Sequence, residues 1–239
     1  MGLQSLVALA FPPRCLSCGG LVGEDFALCA ACWRDTPFIA GLTCRTCGVP
    51  LPGDSTAEEH CDDCLTIARP WSFGVAAMLY RDTGRKLVLA LKHGDRTDLA
   101  RPAARWLAVR LQGRLAPDTL ILPVPAHWRR RIARRYNQAA LIARALGRET
   151  GAEVDPLALI RPRATPIQDG LSRDARFANL AGSMRLRPDR APRLNGRPIL
   201  LVDDVMTSGA TLAAAAEVCL ASGSGPVAIA VMARVAKDD

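Results

Sequence analysis

The chain reads as an α/β protein, with an open and mostly parallel sheet preceded by a small cysteine-rich module. Three observations predict this. Eight of the nine cysteines fall into C-x-x-C pairs before residue 65. From Ser72 onward, short apolar runs alternate with segments of helical periodicity. The run Ile199–Val202 leads straight into two acids, Asp203 and Asp204, then a turn carrying hydroxyls and a glycine, then an alanine-rich helix.

Bulk composition bounds the possibilities. With 239 residues, 49% of them hydrophobic, and a mean hydropathy of +0.10, the chain can bury a core and is not globally disordered. The net charge of +8 is unevenly spread. Residues 1–70 hold four arginines against eight acids, a balance of −4, and residues 71–239 carry the balance of +12. This asymmetry predicts a boundary near Pro70 and Trp71, with a module at 1–70 and a second domain at 71–239. The basic part is where an anionic partner would be drawn, although solvated basic faces give the same count. No segment approaches the roughly 18 apolar residues of a membrane helix. Leu3–Phe11 is apolar but lacks the basic flank of a secretory signal, so it reads as a short helix and the chain as cytoplasmic.

The cysteines pair as Cys15/Cys18, Cys29/Cys32, Cys44/Cys47 and Cys61/Cys64. A C-x-x-C hairpin aims two thiolates at one tetrahedral ion, and two hairpins complete a four-sulfur zinc site. The pattern is an internal repeat: Cys15-Leu-Ser-Cys18-Gly19 with Cys29-Ala-Ala-Cys32 parallels Cys44-Arg-Thr-Cys47-Gly48 with Cys61-Asp-Asp-Cys64. Sequential pairing is the simplest arrangement, and spacing alone leaves an interleaved cross-brace open. Disulfides need an oxidising compartment, and a redox dithiol needs one such motif rather than four in tandem. Two structural Zn²⁺ ions are therefore expected, with Fe–S as the alternative. Cys219, inside the alanine-rich helix, reads as a small buried apolar residue.

In the second part, strands are expected at Ser72–Tyr80, Thr119–Leu122, Leu157–Ile160, Ile199–Val202 and Val227–Ala233. Helices are expected at Thr83–Lys92, Thr97–Leu115, Arg129–Thr150 and Thr211–Ser222, with Lys92–Arg96 as a turn and Arg161–Asn179 as a polar loop. On such a sheet ligands bind beyond the carboxyl ends of the strands. Pro123–Ala126, Arg161–Gly170 and Asp203–Thr211 all fall there. Vicinal hydroxyls suit the two carboxylates, and a phosphate suits the turn's N–H groups and the helix start.

The residues Val202-Asp-Asp-Val-Met-Thr-Ser-Gly-Ala-Thr211 resemble the phosphoribosyl-pyrophosphate (PRPP) signature of type I phosphoribosyltransferases. The resemblance implies a sheet of that kind. It assigns Asp203 and Asp204 to the ribose hydroxyls with Mg²⁺, and Thr207, Ser208, Gly209, Ala210 and Thr211 to the 5′-phosphate. Some purine-salvage members carry an Asp where this chain has Thr207, which points away from purine-base salvage. A narrower match spans nearly the whole chain. The tandem C-x-x-C ribbons, Leu91-Lys-His-Gly-Asp95, Leu122-Pro-Val-Pro125, Tyr136-Asn-Gln138 and the run from Arg161 through Thr165 and Gln168 to Asn179 resemble the ComF family. That family joins a zinc ribbon to a phosphoribosyltransferase-like domain and is tied to the uptake of single-stranded DNA in natural competence. Where it usually has Arg-Gly before the aromatic-Asn-Gln, this chain has Arg134-Arg135, as if a turn were replaced by continuous helix.

The resemblance implies PRPP or a related ribose phosphate, single-stranded DNA and other competence proteins as partners. If the phosphoribosyl group is transferred and pyrophosphate leaves, backbone amides near Val124, Pro125 and Ala126 would hold the pyrophosphate, with Lys92 and Arg163 as cationic helpers and the Arg161–Gln168 loop excluding water. On a helix through 129–150, Arg130, Arg131, Arg134 and Arg135 share a sector about 140° wide, either a stripe for DNA phosphates or a solvated face. The competing functions are a small-molecule phosphoribosyltransferase and a PRPP sensor or scaffold without turnover.

Overall fold

The computed structural model describes residues 11–126, 136–162 and 182–236. The main sheet has five strands: β1 (Phe73–Leu79), β2 (Leu120–Pro123), β3 (Glu153–Val154), β6 (Ile199–Met206) and β7 (Val227–Arg234). They lie in the order β1-β7-β6-β2-β3, and every pairing is parallel. Two further short strands, β4 (Leu159–Ile160) and β5 (Arg185–Leu186), pair antiparallel outside it.

A parallel sheet is covered on both faces, so its strands read as unbroken apolar runs. On one face Leu122, Leu201, Ile229 and Val231 pack with α6 (Ala210–Ala221), whose alanines let helix and sheet approach closely. On the other, Ile121, Leu200, Val202 and Ala230 pack with α3 (Asp82–His93), α4 (Ala100–Leu111) and α5 (Gln138–Thr150). The helix after β6 and the helix after β2 thus cover opposite faces. The carboxyl ends of those neighbouring strands are thus the topological switch point, where ligands bind on such sheets.

The cysteine-rich part wraps the free edge of β1. Its two short helices are α1 (Ala30–Arg34) and α2 (Asp62–Thr66), and each begins just after a cysteine at the N-cap. Between the two ribbons, Ile39 donates its amide to Ala77 O and Leu79 donates to Pro37 O, so the linker covers an edge that would otherwise be open to pairing. The first ribbon packs toward α4 through the ring contacts Trp33–Phe38 (4.5 Å) and Phe38–Trp106 (5.1 Å). The second lies on the α6 side, with Cys44 and Cys47 fully buried in the same cluster as Trp71, Met206 and Ala210.

Several expected boundaries shift. The strand over Ile199–Val202 runs on to Met206, so Asp203 and Asp204 lie within its closing residues, not after it. Lys92 and His93 belong to the final turn of α3 and not to a loop, and α4 stops at Leu111. The strand over Leu157–Ile160 is reduced to β4, outside the parallel sheet, and the fifth sheet position is taken by the two-residue β3. The long helix over Arg129–Thr150 is corrected at its start: α5 begins at Gln138, because Asn137 is extended (φ −105°, ψ 114°) and caps it by accepting from the Ala139 amide. Arg130, Arg131, Arg134 and Arg135, residues 3–10 of the apolar N-terminal run, Arg163 and most of the 161–179 loop lie outside the described residues.

Candidate functional site: a double-acid strand end, an open helix start and two cysteine clusters

Asp203 and Asp204 close β6. The Asp204 amide donates to Asp203 Oδ1 at 2.8 Å, and Lys92 Nζ stands 3.2 Å from Asp204 Oδ1. Burial and then the Asp204 charge push the Asp203 carboxyl up to about 7, while the Asp204 amide, Lys92 and Arg161 pull the other way. The nearest cation, Lys92, stands against Asp204 and not Asp203. Asp203 is the member that holds or releases a proton near neutrality.

Beyond the acids the chain turns through Thr207, Ser208 and Gly209 into α6. Gly209 has φ +83°, a left-handed conformation that a side chain would strain. The first helical bond runs from the Ala213 amide to Gly209 O, so the amides of Ala210, Thr211 and Leu212 precede the ladder. Among the described residues only Ser208 Oγ, at 3.4 Å, accepts from the Ala210 amide. Three N–H groups at a helix N-terminus, beside the hydroxyls of Thr207, Ser208 and Thr211, form an anion cradle.

The other wall is the end of β2. The Val124 amide is already committed to Val202 O at 2.9 Å, and Pro125 has no N–H. Of the three residues expected to hold pyrophosphate through the backbone, only Ala126 can therefore offer an amide. The Tyr136-Asn-Gln138 motif braces this wall. Asn137 Nδ2 donates to Val124 O at 3.1 Å. Tyr136 Oη donates to Leu91 O at 2.8 Å and Gln138 Nε2 to Lys92 O at 3.5 Å, two carbonyls at the end of α3. The motif thus ties the start of α5 to both the Val124 loop and the helix end that presents Lys92. A cavity of about 470 Å³ opens alongside, lined by Pro125, Ala126, Tyr136, Arg144 and Leu157 among others.

The cysteines form two clusters, Cys15/Cys18/Cys29/Cys32 and Cys44/Cys47/Cys61/Cys64, with the sulfurs of each within 4.8 Å of one another. Sequential pairing is the arrangement found. The Cys18–Cys29 and Cys47–Cys61 sulfurs are 3.8 and 3.6 Å apart, close to the about 3.8 Å of a tetrahedral four-thiolate zinc site with Zn–S near 2.3 Å. The repeat holds in detail: Gly19 donates to Cys15 O and Gly48 to Cys44 O, both glycines at positive φ. Burial pushes the Cys15 thiol up, but the backbone N–H groups of Cys18, Cys29 and Ser17 outweigh it and bring it down to about 6. Cys47 and Cys64 drive Cys44 far below the ordinary thiol range. Each cluster thus already favours one thiolate, and the donor sets fit zinc. His60 is not a member, and its Nδ1 meets the Thr46 hydroxyl at 2.8 Å. Cys219 is fully buried, and burial lifts its thiol to about 12.

Residues 6–65 match the family description "Double zinc ribbon domain". Over 233 residues the chain is 31% identical to the DNA utilization protein YhgH of Escherichia coli (strain K12), covering 95% of this chain and 99% of that protein. Competence protein F of Haemophilus influenzae is 31% identical over 205 residues, covering 83% of this chain and 87% of its own. The chain belongs to the ComF family. Among solved structures, an allosteric regulatory enzyme of purine biosynthesis matches at 15% identity and a TM-score of 0.39, over 60% of this chain and 30% of that one. Adenine phosphoribosyl transferase from Trypanosoma brucei matches at 15% identity and a TM-score of 0.38, over 58% and 53%. At these scores the likeness is coarse.

In this ComF chain three site-adjacent residues escape a reading of the sequence. Arg69 Nη1 donates to Ser208 O at 2.7 Å, and Arg234 Nη1 donates to Thr207 O at 2.8 Å and Met206 O at 3.2 Å. Trp71, read only as a boundary marker, reaches the same turn. Arg234 left one signal, a lone cation ending an eight-residue apolar strand. Arg69 left none, because its target is a main-chain carbonyl 139 positions away.

Proposed function

We propose that this ComF protein binds PRPP, or a close ribose phosphate, at the carboxyl ends of β6 and β2, and handles single-stranded DNA in the cytoplasm. The observation that supports it most is the single geometry of Asp203, Asp204, Lys92 and the open start of α6. It offers two carboxylates for vicinal hydroxyls and a cradle for a 5′-phosphate on one strand end. The double-acid end and the helix start are next to each other in sequence, as the ribose hydroxyls and 5′-phosphate are in the ligand. The names of the relatives, a DNA utilization protein and a competence protein, supply the DNA part of the reading.

On this reading Asp203 and Asp204 accept from the ribose hydroxyls, and Thr207–Thr211 holds the 5′-phosphate. Mg²⁺, when bound with the ligand, would offset charge on the pyrophosphate. Lys92, 3.2 Å from Asp204 Oδ1, holds that carboxylate in place. The Ala126 amide and Arg163 are the remaining candidates for the pyrophosphate. Arg130, Arg131, Arg134 and Arg135 are proposed as phosphate contacts to DNA.

A second reading is phosphoribosyl transfer to a small acceptor, favoured by the 470 Å³ cavity beside Pro125 and Ala126. Pyrophosphate release on mixing PRPP with candidate acceptors separates the two. Anisotropy of a labelled single strand, titrated across a salt series with and without PRPP, tests the first. Saturable binding that weakens with salt is expected, and binding indifferent to salt contradicts a phosphate-contacting surface.

A further inference from the structure

Three links hold the second cysteine cluster and the helix-start turn, the first to β1 and the other two at the turn itself. The first is the seat of the Cys44–Gly48 knuckle on β1. The Gly74 amide donates to Arg45 O at 2.9 Å. A Cβ built at Gly74 would stand 2.4 Å from Thr46 O, and one at Gly48, 2.8 Å from the Ala76 nitrogen. The knuckle therefore rests backbone against backbone, and it cannot shift without moving the strand.

The second link is Trp71 with Arg69. The Trp71 indole N–H donates to Thr46 O, between the two knuckle cysteines, at 2.7 Å. The far edge of the same ring meets the turn: a Cβ at Gly209 would lie 3.3 Å from Trp71 Cη2 and 3.0 Å from Arg69 Nη1. The Arg69 guanidinium is 5.5 Å from the Trp71 ring centre while it donates to Ser208 O. One indole thus spans from the knuckle carbonyl to the turn's glycine.

The third link is Arg234. Its side chain is buried, with only 5% of the residue exposed, and its Nη1 is shared among the carbonyls of Met206, Thr207 and Val235. Among the described residues it has no carboxylate partner, and its Nε has no hydrogen-bond partner. A buried guanidinium held only by carbonyls is costly to keep unless an opposite charge is near. Arg234 and Cys61 of the second cluster line one cavity. Four thiolates around Zn²⁺ would carry a net −2 on that side of Arg234.

We propose that zinc at Cys44/Cys47/Cys61/Cys64 sets the geometry of the Thr207–Thr211 turn, with Arg69, Trp71 and Arg234 as the positioning residues that carry its occupancy to the turn. This inference rests on reading that turn as the phosphate cradle. It makes the second ribbon a working wall of the ligand site. The first ribbon, packed on the opposite side of the sheet, has no such link among the described residues.

The test is hydrogen exchange of the full chain, followed on peptides covering 203–213 and, as a reference, β1. Zinc content is measured alongside. Cys61→Ser should empty the second cluster and raise exchange at Ala213, whose amide makes the first α6 bond to Gly209 O, at least about tenfold with β1 still protected. Cys18→Ser should leave the turn at its wild-type rate. Equal turn exchange in the two variants overturns the proposal. If Cys61→Ser unfolds β1 as well, Arg69 decides: Arg69→Met, with both zincs retained, should loosen the turn, and Arg69→Lys should restore part of the protection. Wild-type exchange in Arg69→Met overturns it. PRPP titration of the same proteins separates the two ideas. Coupled exchange in a protein that binds no PRPP would sink the functional reading and leave the coupling standing.

Discussion

Lys92 Nζ lies 3.2 Å from Asp204 Oδ1, and this ion pair joins the last turn of α3 to the last residues of β6. Both side chains are mostly buried, so removing either leaves a charge without its partner. Lys92→Met is expected to cost about 1.5–3 kcal/mol of stability, the range for a hydrogen bond to a charged group, and to weaken PRPP binding. Denaturant unfolding beside a PRPP titration checks both. A fully stable variant with unchanged affinity would remove Lys92 from the site.

The pH dependence has a definite sign. Asp203 is raised to about 7 in the folded chain from an ordinary 3.8, so folding favours its protonated form. Its contribution to stability is therefore greatest at low pH and declines as pH rises from about 4 to about 7, at no more than about 1.4 kcal/mol per unit. Asp203→Asn should flatten that part of the profile. A carboxylate is the better acceptor for ribose hydroxyls, so PRPP affinity should rise through the same region while stability falls.

Asn137 performs two tasks that one pair of variants separates. Its Oδ1 caps α5 and its Nδ2 holds Val124 O. Asn137→Ala should lose both and cost about 1 kcal/mol or more. Asn137→Asp keeps the cap acceptor and loses only the donor to Val124, so it should stay near wild-type stability while PRPP binding weakens. Equal thermal shifts in the two variants would contradict this division.

The zinc sites should differ in weight. Each chain is expected to carry two zinc ions by metal analysis. Cys44 and Cys47 are fully buried in the core that also holds Trp71 and Met206, whereas Cys18 is exposed. Cys47→Ser should therefore destabilise the chain by at least about 2 kcal/mol more than Cys18→Ser. Equal losses would mean that the second cluster is peripheral to the core.

For single-stranded DNA, replacing Arg130, Arg131, Arg134 and Arg135 together by alanine should reduce the slope of log affinity against log salt by about 3. An unchanged slope would return these arginines to a solvated face.

Much of this was legible in the sequence because strong local patterns carried it. The apolar runs at 73–79, 120–123 and 227–234 could be little but buried strands, and the cysteine repeat predicted two four-sulfur sites. Where spacing left sequential and interleaved pairing both open, the knuckles' separate seats on opposite sides of the sheet decide it. Tertiary contacts overrode local pattern elsewhere. Tyr136 and Asn137 lie in a helical sequence pattern, yet their side chains are drawn to Leu91 and Val124 carbonyls, and α5 begins at Gln138. Val124 looked free to bind pyrophosphate because nothing local shows that Val202 takes its amide. Arg69 and Arg234 act on main-chain carbonyls, which have no signature in the side-chain sequence.

The most direct test of the central claim is calorimetric titration of PRPP with Mg²⁺ into the wild-type chain and into the Asp203→Ala/Asp204→Ala double variant. A single saturable site in the wild type, weakened at least about 100-fold in the variant, is the expected result, since two charge-bearing contacts are lost at about 1.4 kcal/mol per tenfold. Equal binding by the two proteins would contradict the assignment of the β6 end as the ribose-phosphate site.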